Sequence, residues 1–240
     1  MNDISESLQP ASGLDCVRFV DSFSELLAAR FEGKVNAICW KRSLEGNFDE
    51  IAEVVGELDE ITSLEEDDLE SLNLSPAGAA ARAQLIEDLR LLRSAGLQPN
   101  LDLIPSYPRS GSAGAIPVDV YDFHADSATV ATDTFLCSYT VASSEGIRNE
   151  EAVRYVDLPD YRAQALQEYG GAADAGFAAY LTERFYDLHY AAREGAKPYP
   201  FGFGHLWRIA TLCPGSPVLP CIHRAPTTRD GEAARLLLIS

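Results

Sequence analysis

Hydrophobic positions along this chain fall into two regimes. Up to about residue 100 they recur at helical spacing between capping signals; beyond it they come in short runs broken by Pro and Gly. In the first regime, residues 21–30 (DSFSELLAAR) read as a short helix and residues 36–42 (NAICWKR) as a strand anchored by Trp40. Asn47 or Asp49 caps a helix running to about Leu58. The helix at 79–95 is the best marked: Ser75 suits the N-cap, Pro76 the first turn, and Gly96 the exit.

In the second regime, residues 105–114 form a Pro/Gly/Ser loop. Strands are predicted at 116–126 (IPVDVYDFHAD) and 133–141 (DTFLCSYTV), followed by a helical insertion over about 160–192. Strands resume at 206–212, 218–223 and 234–240. The last is apolar and needs partners on both sides, so Leu236 to Ile239 are expected to be central rather than frayed. The pattern describes one domain over 1–240: a loose tail at 1–15, a helical part at 16–100, and a β core at 101–240 carrying the insertion. Short strands with Gly/Pro turns point to a sandwich or barrel.

Charge narrows the partners. Thirty-seven acidic against 19 basic residues give a net charge of −18, a surface that repels phosphate backbones and anionic lipids. Nucleic-acid and membrane binding are therefore not expected. Much of the acid lies between Glu57 and Glu70, which reads as a solvated helix face. The start, Met1 to Glu6, is polar and lacks the basic and apolar stretch of a secretory signal, so a cytoplasmic location is expected. The five cysteines include no Cys-x-x-Cys pair and read as reduced thiols. Alternation puts Cys221 on the face of His223. The pattern sets no oligomeric state.

The candidate chemistry begins at Phe123-His124-Ala125-Asp126. On a strand, His124 and Asp126 project to one side. One imidazole beside one carboxylate makes two corners of a facial triad, and His223, ending a later strand, is the best third corner. Three protein ligands on one face leave positions for a bidentate co-substrate and dioxygen. Arg235, on the following strand, suits the far carboxylate of such a co-substrate, since a guanidinium grips carboxylates through paired bonds. Arg229 is its rival, in what reads as a turn at 227–231. His205 ranks second as a replacement ligand, and His189, inside DLHYAAR, reads as structural, on a helix or its end.

The series His124-x-Asp126, His223 and Arg235 resembles the pattern of 2-oxoglutarate- and iron(II)-dependent dioxygenases. His223-Arg224-Ala225-Pro226 and Ala234-Arg235-Leu236-Leu237-Leu238 also look like an uncharacterised bacterial domain family of that superfamily. The likeness covers about residues 116–240, with a weaker echo at 37–42. It implies an α+β protein with a double-stranded β-helix core (jelly roll, cupin-like), preceded by N-terminal helices. It implies iron(II) on His124, Asp126 and His223, and 2-oxoglutarate held by Arg235. Tyr139 is a further candidate for a co-substrate oxygen, and Arg148 and Arg224 for a small-molecule or peptide substrate. A cupin-type dioxygenase without 2-oxoglutarate and a non-catalytic binding protein are the competing expectations.

Overall fold

Residues 13–56, 58–109, 114–140, 142–227 and 233–240 are described by a computed structural model. Most of the expected tail, residues 110–113 of the Pro/Gly loop, and Arg229 in its turn lie outside the described residues.

The chain folds as a mixed α+β protein with two sheets. Its strands are β1 (Val17–Val20), β2 (Ala37–Trp40), β3 (Thr62–Ser63), β4 (Asn100–Ile104), β5 (Phe123–His124), β6 (Asp133–Ser138), β7 (Glu145–Ile147), β8 (Ala152–Arg154), β9 (His189–Ala192), β10 (Tyr199–Pro200), β11 (Leu206–Ala210), β12 (Ile222–Arg224) and β13 (Arg235–Ile239). One sheet runs β1-β2-β11-β6-β13-β4-β3 and the other β10-β7-β12-β5-β9-β8. Apart from β1 with β2, every ladder pairing is antiparallel.

Helices α1 (Phe23–Ala28), α2 (Asp49–Val55), α3 (Glu66–Ser71) and α4 (Pro76–Ser94) belong to the N-terminal part. Ser22 and Ser75 cap α1 and α4 through their hydroxyls. Gly96, at φ 80°, takes the left-handed conformation that ends α4. Leu85, Leu89 and Leu92 of α4 are buried with Phe135 and Cys137 of β6 and Leu236 and Leu238 of β13. Each such leucine contributes about 2 kcal/mol of burial. The N-terminal part is not purely helical, because β1, β2 and β3 extend both edges of the larger sheet. The acidic tract lies largely along α3, where Glu66 pairs with Arg90 and Glu65 with Arg93 of α4. Exposed pairs of this kind add little stability.

Alternation divides the larger sheet. Leu236 and Leu238 face the helices, whereas Leu237 and Leu136 pack with Tyr199, Phe201 and Cys221 from the second-sheet side. The sheets therefore meet face to face. β13 lies between β6 and β4, the central place its apolar run required.

Several predicted elements differ: α2 starts after Phe48 with no side-chain cap, rather than from a cap at Asn47 or Asp49, and of 218–223 only Ile222 and His223 are strand. Of 116–126 only Phe123–His124 is strand; Pro117 interrupts the run, and Asp122 N–H closes a turn on the Asp119 carbonyl at 3.0 Å. The insertion is helical only through α5 (Pro159–Tyr169) and α6 (Ala175–Glu183), after which the chain passes through Tyr186–Leu188 into strand β9. These helices have a small core of their own, including Ile116, Val156, Phe177 and Leu181. Among the described residues no helix is long and apolar enough to cross a membrane.

Candidate metal centre

His124 and His223 are direct partners across the antiparallel β5–β12 ladder, so their rings leave the same face of the second sheet. The ring centroids are 4.6 Å apart. Asp126, just past β5, is fixed by its backbone: its carbonyl accepts from Leu212 N–H at 2.8 Å. Asp126 Oδ1 lies 3.9 Å from His124 Nε2 and 3.9 Å from His223 Nε2. One ligand atom from each residue falls within 4.8 Å of the others.

Outer partners choose which atoms are free. His124 Nδ1 sits 2.8 Å from the Asp122 carbonyl, which accepts its proton and leaves Nε2 with the lone pair a metal needs. Thr134 Oγ1 donates to Asp126 Oδ2 at 2.6 Å, leaving Oδ1 toward the imidazoles. His223 Nδ1 has a longer contact, 3.5 Å, with the Cys221 carbonyl. The Cys221 side chain is buried with Tyr199 and Trp207, and burial pushes its thiol well above the ordinary range.

Burial and the adjacent His223 ring hold His124 down at about 4. Burial alone would raise Asp126, but the His223 ring and the Thr134 hydroxyl bring it below the usual carboxylate value. Burial, with Lys41 and Arg42 nearby, also lowers His205 to about 4. Unfolded histidines titrate near 6.5, so between pH 6.5 and 4 the unfolded chain binds more protons than the folded one. Stability must fall as pH falls through that window, by on the order of 3 kcal/mol for each such ring. The lowered Asp126 extends the loss to still lower pH. Calorimetry of metal-free protein should show Tm dropping steadily from pH 6.5 to 4; a constant Tm would contradict these environments.

Arg235 leaves β13 on the side facing the second sheet and is only 1% exposed. Its Nη2 donates to the Ser138 and Ser144 hydroxyls, each at 2.8 Å, and its Nη1 to the Tyr107 hydroxyl at 3.1 Å. Its Nε has no partner and, among the described residues, no carboxylate pairs with it. A buried guanidinium ringed by hydroxyls, with no counter-ion among the described residues, has the chemistry to take up an anion.

The other expected residues lie elsewhere. Tyr139 points to the helix side of β6, where its hydroxyl donates to Asp88 of α4 at 2.6 Å. The even positions of β6 face the site: Thr134 reaches Asp126 and Ser138 reaches Arg235. Arg224 alternates away from His223; it forks onto Glu145 at 2.9 and 2.7 Å and covers the Phe123 ring. Arg148 pairs with Asp15 at 3.4 Å and Glu151 at 3.5 Å. His205 accepts from Arg42 N–H and takes no part in the cluster. The sequence places Tyr107 in a candidate lid loop and Ser144 in a segment that could cover the pocket, but does not mark either, or Ser138, as a partner of Arg235; the Thr134/Ser138 alternation was the signal for one of them.

No family model, no curated protein and no solved structure matches this chain.

Proposed function

We propose that the protein is an iron(II)- and 2-oxoglutarate-dependent oxygenase built on a double-stranded β-helix. The observation that carries this reading is the convergence of His124, Asp126 and His223 on one point between the sheets. Two imidazoles and one carboxylate on one side of an ion are the donor set of non-haem iron(II) oxygenases. The strand orders support the fold: β11-β6-β13-β4 faces β10-β7-β12-β5, and apart from the step from β7 to β10, which pair with each other, successive strands of these eight alternate between the two sheets.

The buried Arg235 supports the choice of co-substrate. Its guanidinium, with Ser138, Ser144 and Tyr107, would hold a distal carboxylate. Bound iron would supply oxidation of a substrate C–H bond by dioxygen, with the keto acid converted to succinate and carbon dioxide. The chain's own residues orient the ligand atoms, neutralise the anion and exclude water. The net charge of −18 argues for a small-molecule or peptide substrate over a nucleic acid. All five cysteines are free, as suits a reducing cytoplasm.

Anaerobic protein mixed with iron(II) and 2-oxoglutarate should develop a visible charge-transfer band, which needs the chelating keto acid and iron at one site. Metal uptake without the band would refute the co-substrate; no metal uptake would refute the reading altogether. Arg235→Met separates the two sites. It should retain iron(II), weaken 2-oxoglutarate, and stabilise the ligand-free protein by about 1–3 kcal/mol, because an unpaired buried charge is gone. Thermal melting with and without the keto acid reads both effects.

A further inference from the structure

On the inward face of the second sheet, register places Tyr199, Gly146, His223, His124 and His189 in one row. At one end the row is closed: a Cβ at Gly146 would meet the Tyr199 ring at 2.4 Å, and that ring packs against Phe201 and Trp207. At the other end stands an imidazole. His189 is directly opposite His124 across the β5–β9 ladder, 7% exposed, with its ring centroid 5.8 Å from that of His124.

The ring is held from behind. Its Nδ1 lies 2.7 Å from the Phe185 carbonyl, so the proton sits on Nδ1 and the neutral ring offers a lone pair at Nε2. Phe185 has φ 61°, the left-handed region where glycine is the ordinary occupant and a bulky residue is strained. Its side chain is 57% exposed and gains little from the position. In that conformation its carbonyl accepts both the Leu188 N–H, at 3.1 Å, and the His189 Nδ1–H. Nε2 makes no hydrogen bond to any described residue, and His189 is outside the three-residue ligand cluster.

We infer that His189 is a positioning residue of the metal site: its Nε2 accepts a hydrogen bond from water on an open position of the ion held by His124, Asp126 and His223. This rests on the metal reading proposed above. Acceptors that touch a metal-bound group orient it without ligating the metal themselves.

The test uses the full chain loaded with cobalt(II), and azide as the probe. Azide displaces bound water but has no proton to donate, so Nε2 favours water over azide. His189→Leu and His189→Phe remove the acceptor in two different shapes, and folding of either suffices. Each should keep its cobalt(II) dissociation constant within about threefold while azide binds roughly threefold to tenfold tighter. His189→Gln restores an acceptor and should return the azide constant to within about twofold of the starting protein. Equal azide constants in all forms would overturn the inference while leaving the metal centre standing. Loss of cobalt(II) in the folded Leu or Phe variant would also overturn it, by making His189 a ligand. No cobalt(II) uptake by the unmodified protein would remove the metal reading itself.

Discussion

Asp126→Ala and His223→Ala are each expected to lower iron(II) affinity by more than about 100-fold, in a protein that still folds. Changes to the outer partners of metal ligands already cost about 10–100-fold, so loss of a ligand must cost more. Asp126 is the more informative of the two. It supplies the only carboxylate of the set, and its Oδ1 is the atom left free by the Thr134 hydrogen bond. Without it, two neutral imidazoles face a divalent cation with no compensating charge. The fold should survive, because the carboxyl is the least buried of the three groups, with its side chain 30% exposed. Thr134→Val should lower affinity by about tenfold, since it frees the carboxylate to rotate. His205→Ala is the control. That ring bonds to the backbone of Arg42 and takes no part in the cluster, so iron(II) uptake should not change. Anaerobic equilibrium dialysis measures all four. If His205→Ala lost metal and His223→Ala did not, the ion would be bound elsewhere.

Much of the framework was legible in the sequence because the signals were local. The Ser75 cap, Pro76 and Gly96 mark α4, and the apolar run at 234–240 required a central strand. The His124/Asp126 pairing followed from two-residue alternation, although only a two-residue strand carries it. What alternation does not reveal is which face meets the other sheet. Phe135, Cys137 and Tyr139 do share a side, but α4 covers that side. The polar residues between them, Thr134 and Ser138, line the site. His189 reads as lying on a helix or its end because DLHYAAR continues the spacing of α6. It does end the short Tyr186–Leu188 helix, and register with His124, a contact distant in sequence, also makes it the first residue of β9. Tyr107 and Ser144 sit in loops, where no period exists to assign a direction.

The helix-facing side of β6 has its own large expected effect. Asp88 of α4 is fully buried and receives both terminal nitrogens of Arg42, at 2.6 Å each, together with the Tyr139 hydroxyl at 2.6 Å and the Gln84 amide at 3.1 Å. Arg42 also donates through Nε to the Gly204 carbonyl at 2.5 Å. The network thus ties α4 to the segments that flank β2 and β11. Asp88→Ala should cost about 3–5 kcal/mol, because it leaves a buried guanidinium uncompensated. Against a net stability of about 5–15 kcal/mol for a domain, that is a large share. Arg42→Met with Asp88→Leu should recover most of the loss, since an apolar pair of similar volume leaves no orphaned charge. Tyr139→Phe should cost less, about 1.5–3 kcal/mol, for one hydrogen bond to a charged acceptor. Urea unfolding would show these differences as shifts of midpoint at constant slope. Single losses that equal the loss in the double variant would mean that the ion pair itself, not an orphaned partner, supplies the stability. Tyr139→Phe should leave the charge-transfer band with iron(II) and 2-oxoglutarate unchanged, because the tyrosine lies across β6 from Thr134 and Ser138. A weakened band in that variant would place its hydroxyl in the co-substrate site after all.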